Sequence, residues 1–230
     1  CKDFGAMTFP KLIFVPSKAA GPVTFDAKNT SGTTAGSATT LDNGNLTIGS
    51  GANRLLVAVL IMSNTAPSSE TMVWDPSGAN QSLTLIQGFN GGSGRIEFWC
   101  LPAPTSGNKI LRYTQGGAAG NLILSCISFT GANQVGGSTS CPNATSNTGT
   151  GVTSSVTVTC PANGAVVEGT INPSSVTSVS GTGQVEIYKN SALSVVAGGS
   201  SYNVGNANPT LSWNITSSSW MSAGVSIAPG

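Results

Sequence analysis

The sequence predicts an all-β protein: a two-sheet sandwich of jelly-roll or Greek-key type with an N-terminal extension strand. Three observations point there. Apolar residues alternate with a period of two along most of the chain and nowhere sustain a period of 3.6. Turn chemistry, such as Asp42-Asn43-Gly44, Asp75-Pro76-Ser77-Gly78 and Gly91-Gly92-Ser93-Gly94, divides the chain into about a dozen short segments. No repeat of about 20 to 50 residues is present, which disfavours a solenoid or propeller. The 230 residues suit one large sandwich over residues 21–230, with residues 1–20 as a separate extension.

Taken in order, residues 23–26 form the first predicted strand of the sandwich. Residues 29–40, rich in Ser, Thr, Gly and Asn, read as a surface loop. In residues 55–62 both alternating sets are apolar, Leu55, Val57, Val59 and Ile61 against Leu56, Ala58, Leu60 and Met62, so a central strand buried on both faces is expected. Residues 81–87 and 94–101 follow. In the latter Ile96, Phe98 and Cys100 share one face and Glu97 and Trp99 the other, the pattern of a half-buried strand. Residues 109–114 and 121–129 are further strands, and residues 131–151 read as a second polar loop. Val156, Val158 and Cys160 alternate with hydroxyl residues, as do Leu211, Trp213 and Ile215 with Ser212, Asn214 and Thr216, each an inside-outside strand. Residues 165–171, 184–188, 193–197 and 220–228 complete the set, with Gly198-Gly199 read as a turn.

Composition narrows function. Only 7% of residues are charged and the formal net charge is +1, against roughly 25% charged in an ordinary soluble protein. Ser and Thr number 58, Asn 19 and Gly 30, so uncharged hydroxyls and amides supply the polar surface. Nine scattered Lys and Arg cannot build the basic stripe that nucleic acid requires. The longest apolar run, residues 55–62, is far short of the roughly 20 residues of a spanning helix. The chain starts at Cys1 without a leader-like stretch and reads as a trimmed, exported chain.

With no His there is no Ser-His-Asp triad, Cys-His pair or His-containing zinc site. Eight scattered carboxylates remain, enough in principle for a glycosidase pair, but the expectation is a non-enzyme with no cofactor, no metal and no catalytic residue. A pair of carboxylates facing across a cleft would favour an enzyme. Asp42-Asn43-Gly44-Asn45 lacks the further oxygen ligands and closing Glu of a calcium loop.

Of five Cys, Cys141 and Cys160 flank a polar segment and are expected to pair with each other. Cys100 and Cys126 lie in apolar strands and either pair together or pack as small hydrophobes. Sequons at Asn29, Asn45, Asn80, Asn143 and Asn214 are no more than chance gives; the first four are candidate glycan acceptors on an exported chain. Of Trp74, Trp99, Trp213 and Trp220, the pattern leaves Trp99 on the more polar face, the best candidate to stack on a sugar.

The segment Met7-Thr8-Phe9-Pro10-Lys11-Leu12-Ile13-Phe14-Val15 is compact and β-prone, set apart by Pro16 and by Ala19-Ala20-Gly21-Pro22. Left free, such a strand invites aggregation. Either it opens its own sandwich, or Phe9, Leu12, Ile13, Phe14 and Val15 add a strand to a neighbour, as in donor-strand assembly. A head-to-tail exchange of that kind gives an open filament of identical subunits.

From Asn53 on, the segments Asn53-Arg54-Leu55-Leu56-Val57-Ala58-Val59, Ser82-Leu83-Thr84-Leu85-Ile86, Arg95-Ile96-Glu97-Phe98-Trp99-Cys100-Leu101 with Pro102 and Pro104, Ser128-Phe129-Thr130-Gly131-Ala132-Asn133-Gln134 and Ala223-Gly224-Val225-Ser226-Ile227-Ala228-Pro229 resemble those of β-sandwich domains in bacterial cell-surface and phage structural proteins. The resemblance implies a surface-exposed sandwich module and no specific activity. The N-terminal segment is similar in placement to donor strands of exported, pilus-like fibre subunits. The leading expectation is therefore an extracellular filament subunit; a carbohydrate-binding or lectin-like module and a phage or viral coat or decoration subunit are the alternatives.

Overall fold

The computed structural model describes residues 20–29, 33–34, 39–63, 66–91, 94–116, 120–191 and 196–230. The segment with Cys1 and the candidate donor residues Phe9, Leu12, Ile13, Phe14 and Val15 lies outside the described residues. The predicted all-β sandwich is present, built on three antiparallel sheets.

The first half of the chain crosses back and forth between two of them. The middle sheet holds β1 (Thr24–Lys28), β4 (Leu55–Met62), β7 (Thr84–Gly91), β8 (Gly94–Pro102) and β10 (Leu122–Thr130), in the order β1-β10-β4-β8-β7, and the two-residue β2 (Thr33–Thr34) also pairs with β10. Against one face lies a four-stranded sheet of β3 (Thr40–Ile48), β9 (Gly107–Gly116), β5 (Ser68–Trp74) and β6 (Gln81–Ser82). The other face is covered by the second half of the chain. A single helical turn, α1 (Gly137–Ser140), leads into β11 (Ala144–Thr157), β12 (Ala165–Asn172), β13 (Val176–Val179), β14 (Val185–Asn190), β15 (Ala197–Val204) and β16 (Thr210–Ile227), ordered β11-β16-β12-β15-β14 with β13 on β16.

The alternation in β4 explains this layering. Leu55, Val57, Val59 and Ile61 join Ile96, Phe98, Ile123, Ile127 and Phe129 in a core shared with Val167, Ile171, Met221, Ala223 and Val225 of the later sheet. Leu56, Ala58, Leu60 and Met62 face the opposite way and pack with Leu46, Ile48, Met72, Trp74, Leu111 and Tyr113. Each such side chain contributes about 1.5–3 kcal/mol on full burial, so a strand with two apolar faces is stable only between two sheets. The same position overturns the half-buried reading of β8. Its second face is also internal, with Glu97 and Trp99 both buried.

The later sheet folds over itself. The 18-residue β16 pairs with β12 only through residues 221–227 and with β13 through Ile215, Asn214 and Trp213. Its partner β11 shifts register between Gly151 and Thr153, opposite Ser218 and Asn214, and that irregularity creases the hairpin. The first half of β16 thereby lies over the outer face of β12 and β15. Trp213, Ile215, Trp220, Val176 and Ala197 form one small core there, and Val156, Val158, Cys160, Val166 and Leu211 another. The predicted inside-outside alternation of Val156 and Val158, and of Leu211, Trp213 and Ile215, is observed.

Candidate functional site

The flank formed by β1 and β14 gathers the features expected of an assembly surface. β1 ends the middle sheet and β14 ends the later one, and among the described residues neither has a partner on its outer side. The two edges meet. Lys28 on β1 donates through Nζ to the carbonyl of Glu186 on β14. The ring of Phe25 stacks on Tyr202 of β15 with centroids 5.2 Å apart and planes inclined by 14°. Tyr202 in turn stands opposite Val185 in the β14–β15 pair. Phe25 and Val185 each remain 42% exposed. Phe25 and Val185 thus expose an apolar patch over the buried ring of Tyr202, where the middle and later sheets end side by side. The chain reaches this edge through Pro22 and Val23, with Val23 N–H donating to the Asn163 carbonyl. β1 carries a register shift between Phe25 and Ala27, a bulge of the kind that limits unregulated edge pairing.

The cysteines pair otherwise than the sequence suggested. Cys100 of β8 is bonded to Cys141, just beyond α1, while Cys126 and Cys160 are free and buried. The expected Cys141–Cys160 and Cys100–Cys126 bridges are both corrected. Cys100 faces the core shared with the later sheet, where Cys141 also sits, whereas Cys126 points to the opposite core. Their strands, β8 and β10, are separated by β4, and the two cysteines lie on opposite faces of the sheet. Burial pushes the Cys126 thiol up to about 12, and Asn43 Nδ2 donates to its sulfur at 3.2 Å.

Trp99 cannot stack on a sugar. It is 5% exposed, and its Nε1 donates to Glu97 Oε2 at 3.0 Å. Trp74, Trp213 and Trp220 are buried as well. The glycan acceptors divide. Asn29 is buried and donates through Nδ2 to the Gly44 carbonyl, so its amide is withdrawn from the surface. Asn143 is half-buried and donates to the Thr159 carbonyl at 3.0 Å. Asn45 and Asn80 are exposed.

Among the described residues two carboxyls, those of Glu97 and Glu168, are fully buried. Glu97 accepts from Arg95 Nε at 2.5 Å and from Trp99; burial pushes it up to about 7, and the charge of Glu70 adds to the shift against the pull of Arg95. Glu70 accepts from Tyr113 Oη at 2.6 Å. These groups lie between the middle sheet and β5 and β9, among packed side chains rather than across a cleft. Asp42, from the calcium-loop-like run, is held by Arg112 at 2.6 and 2.7 Å. Among the described residues no cluster of three or more potential metal ligands occurs. A groove of about 490 Å³ lies elsewhere, lined by neutral groups including Ser180, Thr182, Asn206 and Thr210.

The second buried carboxyl, Glu168, sits on the outer face of β12. Its Oε2 accepts from Ser201 Oγ at 2.7 Å and from Trp213 Nε1 at 2.8 Å, and burial pushes it up to about 8. Sequence reasoning missed this cluster. The positions come from three strands and meet only through register and through the fold-over of β16; the one legible signal was Glu168 itself, a charge inside the otherwise apolar run of residues 165–171. No family model, no curated protein and no solved structure matches this chain.

Proposed function

We propose that this protein is a structural subunit of an extracellular filament, polymerising when residues 9–15 of one copy add a strand to the β1 flank of the next. The observation that carries the reading is the exposed pair Phe25 and Val185, seated on the buried ring of Tyr202, beside the edge of β1. Main-chain hydrogen bonds along the edge would supply much of the affinity, and alternate apolar side chains of the incoming strand would seat on the patch. Phe9, Leu12, Ile13, Phe14 and Val15 offer such side chains. A chain with 7% charged residues and a net charge of +1 adds little like-charge repulsion between identical neighbours. A disulfide between Cys100 and Cys141 suits an oxidising, extracellular setting. The lectin-like alternative loses its best aromatic residue with the burial of Trp99.

The test is deletion of residues 1–20, followed by sedimentation and negative-stain imaging against the full chain. The full chain is expected to form filaments and the truncated chain to remain monomeric, with a peptide of residues 7–16 binding the truncated chain. Filaments from the truncated chain, or a full chain that stays monomeric, would refute donor-strand polymerisation; closed shells would favour the coat-protein alternative.

A further inference from the structure

We propose that Ser201 and Gln184 react with each other, forming an ester cross-link between their side chains with release of ammonia. The inference stands apart from the filament reading and rests on one buried constellation. Gln184, just before β14, donates through Nε2 to Ser201 Oγ at 2.7 Å. Ser201, on β15, donates through Oγ to Glu168 Oε2 at 2.7 Å. The carbonyl oxygen of the same glutamine amide accepts from two backbone N–H groups, Gly181 at 2.9 Å and Ser212 at 2.8 Å. Ser201 and Glu168 are fully buried and Gln184 is 9% exposed.

Each part has a chemical role. A serine hydroxyl is a weak nucleophile until an adjacent base takes its proton, and Glu168 is in hydrogen-bond contact with that proton. An amide carbonyl becomes attackable when donors wait where the negative charge develops; Gly181 and Ser212 aim two N–H groups at Gln184 Oε1. The three side chains are fixed by β12, β15 and the β13–β14 turn, so the reactants meet without loss of further freedom.

The step balances without oxidant or co-reactant. Ser201 Oγ forms a bond to Gln184 Cδ while its proton passes to Glu168 Oε2. The carbonyl electron pair moves onto Oε1 and is held by the two backbone donors. Glu168 returns the proton to the amide nitrogen, the Cδ–Nε2 bond breaks, and ammonia leaves. Amide plus alcohol gives ester plus ammonia, and Glu168 ends as it began. Burial raises Glu168 to about 8, so the ionised fraction present near neutral pH receives the serine proton as a strong enough base and, once protonated, holds it ready to return to the amide nitrogen. Exclusion of water protects the ester from hydrolysis. The product would fasten the entrance of edge strand β14 to β15 by a covalent bond.

Intact-mass spectrometry of the purified full chain tests this directly. After disulfide reduction the expected mass is below the sequence mass by one ammonia, ~17 Da. Trypsin cuts after Lys189, between the two residues, so the ester should keep the peptide of residues 113–189 joined to that of residues 190–230 after disulfide reduction. Hydroxylamine should separate them. Ser201→Ala is expected to show the full sequence mass and two separate peptides, and Glu168→Gln likewise. Full mass and separate peptides in the unsubstituted chain overturn the cross-link, whether or not the variants fold. An ammonia loss that persists in Ser201→Ala overturns it too, and a joined Glu168→Gln removes Glu168 from the mechanism.

Discussion

The indole of Trp213 lies on the backbone of Gly199, filling the space a side chain there would need: a Cβ at Gly199 would stand 2.7–3.0 Å from three ring carbons. The pair fastens the first half of β16 onto β15, and it explains why a Gly-Gly pair sits within a strand rather than at a turn. Gly199→Ala must displace the indole and disturb its bond to Glu168. The expected loss is about 1–3 kcal/mol, read as a lower denaturation midpoint in urea followed by Trp fluorescence.

The Cys100–Cys141 bridge closes a separation of 41 residues, for which loop-closure entropy gives about 4 kcal/mol as an upper expectation. Cys100→Ser with Cys141→Ser should lower stability by about 2–4 kcal/mol. Equilibrium unfolding checks this, and a variant as stable as the parent would show that the bridge is dispensable.

Stability should be greatest in mild acid. Burial raises Glu97 from 4.5 to about 7 and Glu168 from 4.5 to about 8. Between the unfolded and folded values the native chain holds protons that the unfolded chain releases, so stability falls as pH rises. The slope is up to ~1.4 kcal/mol per pH unit for each group and flattens above about pH 8. Urea midpoints at about pH 5 and pH 8 measure it; a profile that rises over that interval would mean both groups are ionised in the native state.

Phe25→Asp replaces the exposed ring of the β1 flank by a charge. Association of full-length subunits should weaken roughly tenfold or more, while the far-UV circular dichroism of the monomer is retained, since Phe25 faces outward. Sedimentation velocity across a concentration series gives the comparison. Unchanged association would move the receiving surface to another edge.

How far the fold was legible depended on whether side chains or partners decide each strand. β4 is readable because eight consecutive apolar residues have no other stable placement. β11 is not, since its Ser, Thr, Gly and Asn residues match loop composition; pairing along nearly the whole of β16 makes it a strand. Residues 144–151, the last third of the stretch read as a loop, are thus strand. β3 was hidden by Asp42-Asn43-Gly44, a turn signal that here marks a register shift within a strand between Asn43 and Leu46. β15 was hidden by its glycines, whose small size serves Trp213 on one face and Ile61 and Ile123 on the other. The two predicted strands at residues 211–216 and 220–228 are one, because the hydroxyl residues between them ride the crease. Trp99 and the cysteine pairing went astray for a related reason: a third sheet turns a supposed surface into an interior, and periodicity cannot count layers.

The middle sheet has a consequence for how this protein can change. Its strand β4 is a party wall: an enlarged side chain at Leu56 presses on β3, β5 and β9, and one at Val57 presses on β12 and β16. Neither neighbour can loosen without exposing the wall, so the three layers should melt together in one transition. Drift in sequence is then confined to the hydroxyl-rich exterior, which leaves the outer coat free to vary while the partition behind it stays fixed.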